Sequence, residues 1–143
     1  MNIQNSKEPS SFFTGLTTEN GKENRHFSRH KIKRRILIKD PHGNIQTGHA
    51  FDISRQGLQF RCTQQIAFLL ETSSRSRSSG YGTDYEVKIA LPFMNKLTEC
   101  GIYCAIKDVT KADEENMRIG LSFLYFDKDS QSKLDHFIDN LTL

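Results

Sequence analysis

The chain has 143 residues, a length that fits one domain with an ordinary hydrophobic core. Its 20 basic and 17 acidic side chains give a net charge of +3, too close to balance for a protein that neutralises nucleic-acid backbone over a wide surface. The N-terminus has neither the basic nor the long apolar segment of a secretion signal, and no window holds the roughly twenty apolar residues of a membrane span. We therefore expect a soluble, cytoplasmic protein that does not insert into membranes.

Residues 1–24 are rich in Ser, Thr, Asn, Gln and Gly and show no sustained apolar period. Such a segment buries too little apolar surface to offset the entropy of ordering, so we predict a flexible N-terminal arm. The basic stretch NRHFSRHKIKRRILI follows, and its second half alternates apolar and charged side chains. This alternation predicts that the first strand starts near Ile32.

Alternating apolar and polar residues recur along the chain and predict further strands. Turn residues separate these segments, in DPHGN at 40–44, SRQG at 54–57 and KADEEN at 111–116. The predicted strands cover residues 32–39, 45–53, 58–62, 85–91, 100–106 and 117–125. Regular strand and turn spacing without intervening helices favours an all-β fold, with an antiparallel sheet closed into a barrel.

Two segments depart from this pattern. Residues 64–84 begin semi-apolar and end in a run of Ser, Arg and Gly, which predicts a long mobile loop. Near the C-terminus the apolar period becomes that of an amphipathic helix, preceded by residues that cap helices. We predict a helix over residues 128–141, with apolar positions at Leu134, Phe137, Ile138 and Leu141.

Two short motifs stand in order around the first predicted strands. RHFSR places Arg25 and Arg29 four residues apart, just before the first strand. DISRQG places Asp52, Ser54 and Gly57 at the corner between the second and third strands. In this order and separation they resemble the RxxxR and [D/N]xSxxG motifs of the PilZ domain family. The resemblance covers roughly residues 24–142, through the late strand MRIGLSF and the terminal helix.

The resemblance implies a six-stranded antiparallel β-barrel with a C-terminal helix and a flexible N-terminal arm. Residues 1–24 would form the arm and 25–142 the PilZ-like domain, with an arginine linker at 25–31, the barrel at 32–126 and the helix at 128–141. It further implies a receptor for the bacterial second messenger cyclic di-GMP, held between the arm's arginines and the corner. The implied ligand-binding residues are Arg25, Arg29, Asp52, Ser54 and Gly57.

The types of these residues suit such a ligand. A cyclic dinucleotide presents two phosphates and two guanines, whose O6 and N7 atoms accept the paired hydrogen bonds of an arginine. Asp52 offers an acceptor for the guanine N1 and N2 donors, Ser54 offers a hydroxyl, and Gly57 permits a corner without a Cβ. The arm would thus supply donors and the corner acceptors.

Each motif also has an ordinary structural interpretation. An arginine pair in a basic segment is often a solvated charge run, and a D-x-S-x-x-G string is often a side-chain-capped turn. The alternative function is therefore a nucleotide-independent protein-interaction adaptor of the same fold, and nucleic-acid binding through the basic arm ranks below it. In the leading interpretation, the ligand orders the arm on the barrel, and the protein then signals to a downstream protein partner.

The cysteines do not predict a metal site or a cofactor. Cys62, Cys100 and Cys104 are an odd number in a chain without a secretion signal, so we expect reduced, buried thiols. Within one strand, Cys100 and Cys104 would lie about 13 Å apart, too far to share a zinc ion. Because the sequence shows no nucleophile with its base and no paired carboxylates, we predict that the protein is not an enzyme.

Overall fold

The computed structural model describes residues 28–75 and 84–141. In these residues six strands surround one core, and a helix follows the third strand and another follows the sixth. The elements in chain order are β1 (His30–Lys39), β2 (Ile45–Ile53), β3 (Gly57–Thr63), α1 (Gln64–Arg75), β4 (Tyr85–Phe93), β5 (Lys96–Lys111), β6 (Asn116–Phe126) and α2 (Ser130–Leu141). The predicted flexible arm, residues 1–24, lies outside the described residues.

The strands form a closed barrel in the order β1-β2-β3-β6-β5-β4, and the pairing of β4 with β1 completes it. Every neighbouring pair is antiparallel, so the predicted all-β antiparallel barrel is confirmed. Strand alternation directs one face of each strand inward, where Ile36, Phe60 and Ile102 are at most 1% exposed. The barrel interior is therefore the hydrophobic core of the domain.

Polar side chains fix the predicted turns between strands. The carboxylate of Asp40 accepts a hydrogen bond from the backbone N–H of Asn44 at 3.0 Å, and Gly43 adopts the φ of +95° that the turn requires. At the β5–β6 hairpin, the carboxylate of Asp113 accepts a hydrogen bond from the backbone N–H of Asn116 at 2.9 Å. These local contacts set the register of the strands on either side.

The prediction of a mobile loop over residues 64–84 is wrong in its first part, because α1 occupies Gln64–Arg75. Ser and Gly are frequent in this segment, so its composition indicated a loop although its apolar residues have helical spacing. Ala67 and Leu70, three residues apart, turn the same helical face to the core and are at most 2% exposed. The hydroxyl of Thr63 caps the helix by accepting a hydrogen bond from Ile66, and Tyr85 donates to the carbonyl of Leu70. Residues 76–83 lie outside the described residues.

The predicted C-terminal helix is present, but it begins at Ser130 rather than at residue 128. Lys128 has a φ of +51°, which is incompatible with the first turn of a right-handed helix. The hydroxyl of the buried Ser130 accepts a hydrogen bond from the backbone N–H of Gly101 in β5 at 2.9 Å. Leu134 and Ile138 then bury one helical face on β4 and β5. This packing fixes α2 on the outside of the barrel.

Within the described parts of the chain, neither helix is long and apolar enough to cross a membrane.

Candidate functional site

The structure describes four of the five predicted site residues. Arg29 precedes β1, Asp52 is next to last in β2, Ser54 lies in the turn, and Gly57 begins β3. Arg25 lies outside the described residues. The end of the arginine linker and the β2–β3 corner therefore meet at one edge of the barrel.

Arg29 and Asp52 form an ion pair across 23 residues of sequence, with Nη1 and Oδ2 separated by 3.2 Å. The backbone positions them, because Lys31 of β1 pairs directly with Asp52 of β2. Their side chains are 26% and 17% exposed, so both are partly shielded and still reachable from solvent. Nε of Arg29 has no hydrogen-bond partner among the described residues, which leaves this guanidinium with donor capacity.

Ser54 stabilises the corner through two hydrogen bonds. Its backbone N–H donates to the carbonyl of Gly57 at 2.9 Å, and its hydroxyl accepts a hydrogen bond from the N–H of Gln56 at 3.1 Å. The side chain is buried, at 6% exposure. The carbonyl of Gln56 in turn accepts a hydrogen bond from the N–H of Phe123 at 2.8 Å. Ser54 therefore closes a turn that is also tied to β6, as hydroxyl-capped turns do.

Gly57 is required by close packing between strands. It pairs with Ser122 of β6, and a Cβ placed on it would overlap the backbone carbonyl oxygen of Leu121. A backbone atom cannot swing aside as the end of a flexible side chain can. The glycine therefore lets β6 approach the corner closely, and its place in the motif has a structural reason in addition to any contact with a ligand.

Arg55 is a corner residue that the sequence-based prediction missed. Its Nε lies 3.1 Å from Oδ1 of Asp135, and its Nη2 contacts Oδ1 of Asp139. The hydrogen bond to Asp139, followed by that to Asp135, raises the pKa of Arg55 above its usual value. The two aspartates are four residues apart on α2, and this spacing, which places them on one helical face, was a usable signal in the sequence. The corner is thereby connected to the C-terminal helix.

Arg118 of β6 was also missed, and no pattern in the sequence indicated its position. Its guanidinium carbon lies 5.6 Å from the centroid of the Phe51 ring, the geometry of a cation–π contact. Phe51 is the residue immediately before Asp52, so this contact directs a further guanidinium, besides those of Arg29 and Arg55, toward the corner. β3 lies between β6 and β2 in the barrel, and this strand order brings the two side chains together although they are distant in sequence.

The arrangement is suited to recognition of a polar, anionic molecule. Guanidinium groups provide forked donors and Asp52 provides a carboxylate acceptor. Among the described residues, no three His, Cys, Asp or Glu side chains are grouped as metal ligands.

The three cysteines lie away from this chemistry. Cys62, Cys100 and Cys104 are free and buried, which confirms that part of the prediction. Burial raises the pKa of the Cys62 thiol to about 11 and that of Cys104 further still. Because the thiolate is the reactive form of cysteine, these thiols belong to the core and are not nucleophiles at neutral pH.

Comparison with known proteins identifies the family. The model of the PilZ domain family matches residues 23–140, which include both motifs. The chain therefore belongs to the PilZ domain family. No curated protein sequence matches the chain significantly.

Solved structures show the same fold at low sequence identity. The Bacillus subtilis inhibitor of motility, MotI/DgrA, has a TM-score of 0.58 and 13% identity, covering 84% of this chain and 52% of that one. The complex of K. pneumonia MrkH with c-di-GMP has a TM-score of 0.54 and 14% identity, over 84% and 52%. The PilZ domain of Escherichia coli YcgR with c-di-GMP has a TM-score of 0.51 and 10% identity, over 84% and 92%. The chain thus spans about half the length of MotI/DgrA and MrkH.

The close approach at Gly57 gives a prediction about stability. We expect Gly57→Ala to lower the free energy of unfolding by about 1–3 kcal/mol, the usual range for overpacking, because the strands must separate to admit the methyl group. Chemical denaturation measures the change. The matched control is Gln56→Ala at the exposed neighbouring position, which we expect to stay within about 0.5 kcal/mol of the wild type. Equal stability of Gly57→Ala and wild type would contradict the packing argument.

Proposed function

We propose that this PilZ-domain protein is a receptor for cyclic di-GMP and has no catalytic activity of its own. The observation that carries the proposal is the contact between Arg29 and Asp52, which joins the RxxxR and DxSxxG motifs at one edge of the barrel. Membership of the PilZ family supports it, as does the likeness in fold to MrkH and YcgR, which were solved with c-di-GMP. In this proposal Arg25, Arg29, Asp52, Ser54 and Gly57 form the ligand site.

The chemistry of the ion pair favours an exchange of partners when the ligand binds. A partly exposed ion pair contributes only about 0–1 kcal/mol to stability, because water solvates both groups well. An arginine bidentate on a guanine edge contributes about 1–3 kcal/mol of discrimination. Arg29 would therefore turn toward guanine or phosphate, and the carboxylate of Asp52 would accept the N1 and N2 hydrogens of guanine. In the absence of ligand, the ion pair would thus hold Arg29 and Asp52 together at the corner.

Ser54 and Gly57 would support the site mainly through the shape of the corner. The Ser54 hydroxyl already accepts a hydrogen bond from Gln56, and Gly57 lies against β6. A corner fixed in this way holds the carboxylate of Asp52 in place before the ligand arrives. Preorganisation of this kind increases affinity because less ordering accompanies binding.

The arm is the other half of the proposed site. Arg29 already contacts the corner, and Arg25 lies four residues before it. We propose that cyclic di-GMP orders the segment around Arg25 on the corner, since the phosphates and guanine edges need more donors than Arg29 alone provides. Coupling of ligand binding to ordering of a segment is a common switching mechanism.

The signal would pass from the corner to α2 through Arg55. This residue lies between Asp52 and Gly57 in the motif and forms ion pairs with Asp135 and Asp139 of the helix. A change in corner geometry therefore alters the ion pairs of an outward helix. We propose that the ordered arm and the repositioned helix together present a surface to a downstream protein partner.

Affinity measurements on variants test the proposed site. We expect Arg25→Ala, Arg29→Ala and Asp52→Ala each to weaken cyclic di-GMP binding by about 1–3 kcal/mol, because each loses a direct contact with guanine or phosphate. Isothermal titration calorimetry measures the dissociation constants. The matched control is Arg61→Ala on the outer face of β3, where Arg61 is paired with Asp113 at 3.6 Å.

The control should bind as tightly as the wild type. Similar losses in all four variants would show general electrostatic attraction and not a defined site. Absence of binding by the wild type at micromolar ligand would refute the proposed function and favour the nucleotide-independent adaptor.

Hydrogen exchange tests the ordering of the arm and its connection to α2. We expect saturating cyclic di-GMP to slow amide exchange around Arg25 and Arg29 and to change exchange in α2. In Arg55→Ala the arm should still be protected while the change in α2 is lost, because the ion pairs to the helix are absent. Unchanged exchange in the arm of the ligand-bound wild type would contradict arm ordering, and an unchanged α2 response in Arg55→Ala would contradict the role of Arg55.

A further inference from the structure

Arg118 extends its side chain across the outer surface of the barrel. It belongs to β6, and its guanidinium carbon lies 5.6 Å from the centroid of the Phe51 ring in β2, two strands away. An arginine stacked on an aromatic ring keeps its in-plane N–H donors available at the edge of the guanidinium. Its forked donors are therefore held over Phe51, the residue before Asp52 in β2.

A β-bulge explains how Phe51 and Asp52 come to share the outer face. The register of β2 with β3 shifts between Ala50 and Asp52, so Phe51 is an extra residue on β2. Ala50 and Ile53 on either side are at most 2% exposed and point into the core. The two residues between them are both partly exposed, whereas strict alternation would direct one of them inward. The bulge thus places an aromatic ring beside the site carboxylate.

Polar groups line the surface between Arg118 and the corner. Asp52 pairs with Gln59 of β3, which pairs with Gly120 of β6, two residues after Arg118. Gly120 has no side chain, and the position of a Cβ there would lie 2.8 Å from Oδ1 of Asp108 on β5. Gly120 is therefore buried with the Asp108 carboxylate against it, and a molecule that extends from the corner over β3 toward Arg118 would pass Gln59 and this carboxylate.

The symmetry of the proposed ligand gives this arrangement a role. Cyclic di-GMP presents the same guanine and phosphate groups twice, and Arg29 with Asp52 can serve one half. From strand spacings, the backbones of Asp52 and Arg118 lie about 12 Å apart, and the Arg118 side chain already spans back toward β2. We propose that Arg118, held on Phe51, is a further ligand-binding residue that contacts the second half of the nucleotide. This inference rests on the proposed function.

Calorimetry with cyclic di-GMP on two Arg118 variants and a matched control tests the proposal. Arg118→Lys keeps the charge but loses the planar fork, and we expect affinity to fall about tenfold or more, within the range for a lost bidentate contact. Arg118→Gln should lose at least as much. Arg61→Lys is the control, because Arg61 is the cross-strand neighbour of Arg118 and is paired with Asp113. The control should bind like the wild type.

Phe51→Leu provides a second test that leaves the charge unchanged. Loss of the ring releases the guanidinium of Arg118, so we expect affinity to fall severalfold, and the same substitution in the Arg118→Gln background to have little further effect. Thermal melts of each variant without ligand establish that the barrel is intact.

The outcomes separate this inference from the proposed function. Wild-type affinity in Arg118→Lys and Arg118→Gln, together with a loss in Arg29→Ala, would overturn the role of Arg118 and leave the receptor function standing. Equal losses in Arg118→Lys and Arg61→Lys would also overturn it, because a general electrostatic effect would then explain both. A wild-type protein that does not bind would refute the proposed function itself.

Discussion

The ion pair between Arg29 and Asp52 is the contact on which the functional interpretation depends. It joins two motifs that lie 23 residues apart in sequence, and it does so at the edge of a closed barrel. Partial exposure makes the pair a weak one, while the pairing of β1 with β2 keeps its members close together. The contact therefore combines a fixed backbone geometry with side chains that solvent still reaches.

The rest of the domain fixes the geometry of that edge. Ser54 closes the corner, Gly57 allows β6 to approach it, and Arg55 connects it to Asp135 and Asp139 of α2. The four residues 54–57 thus contribute to turn formation, strand packing and contact with the helix. In the proposed function, a ligand seated on the corner would be connected to α2 through Arg55, which lies three residues after Asp52 in the same segment.

The sequence predicted the strands well, because antiparallel strands with one buried face alternate with a period of two. It also predicted the corner and α2, whose turn residues and helical spacing are local signals. It failed for α1, where a short apolar face at Ala67 and Leu70 preceded a Ser-rich run. The Phe51 bulge interrupts the alternation by one residue, and the contact between Phe51 and Arg118 depends on strand order in the closed barrel. Neither property can be read from local spacing.

The central claim is that Arg29 and Asp52 act as one ligand site, and a double-mutant cycle of cyclic di-GMP affinity tests it most directly. The four proteins are the wild type, Arg29→Ala, Asp52→Ala and the double variant, each titrated by calorimetry at one salt concentration. We predict that the double variant loses less binding free energy than the sum of the single losses, with a coupling above about 0.5 kcal/mol, because both residues hold the same part of the ligand. Strict additivity of the two losses, or unchanged affinity in either single variant, would contradict the claim.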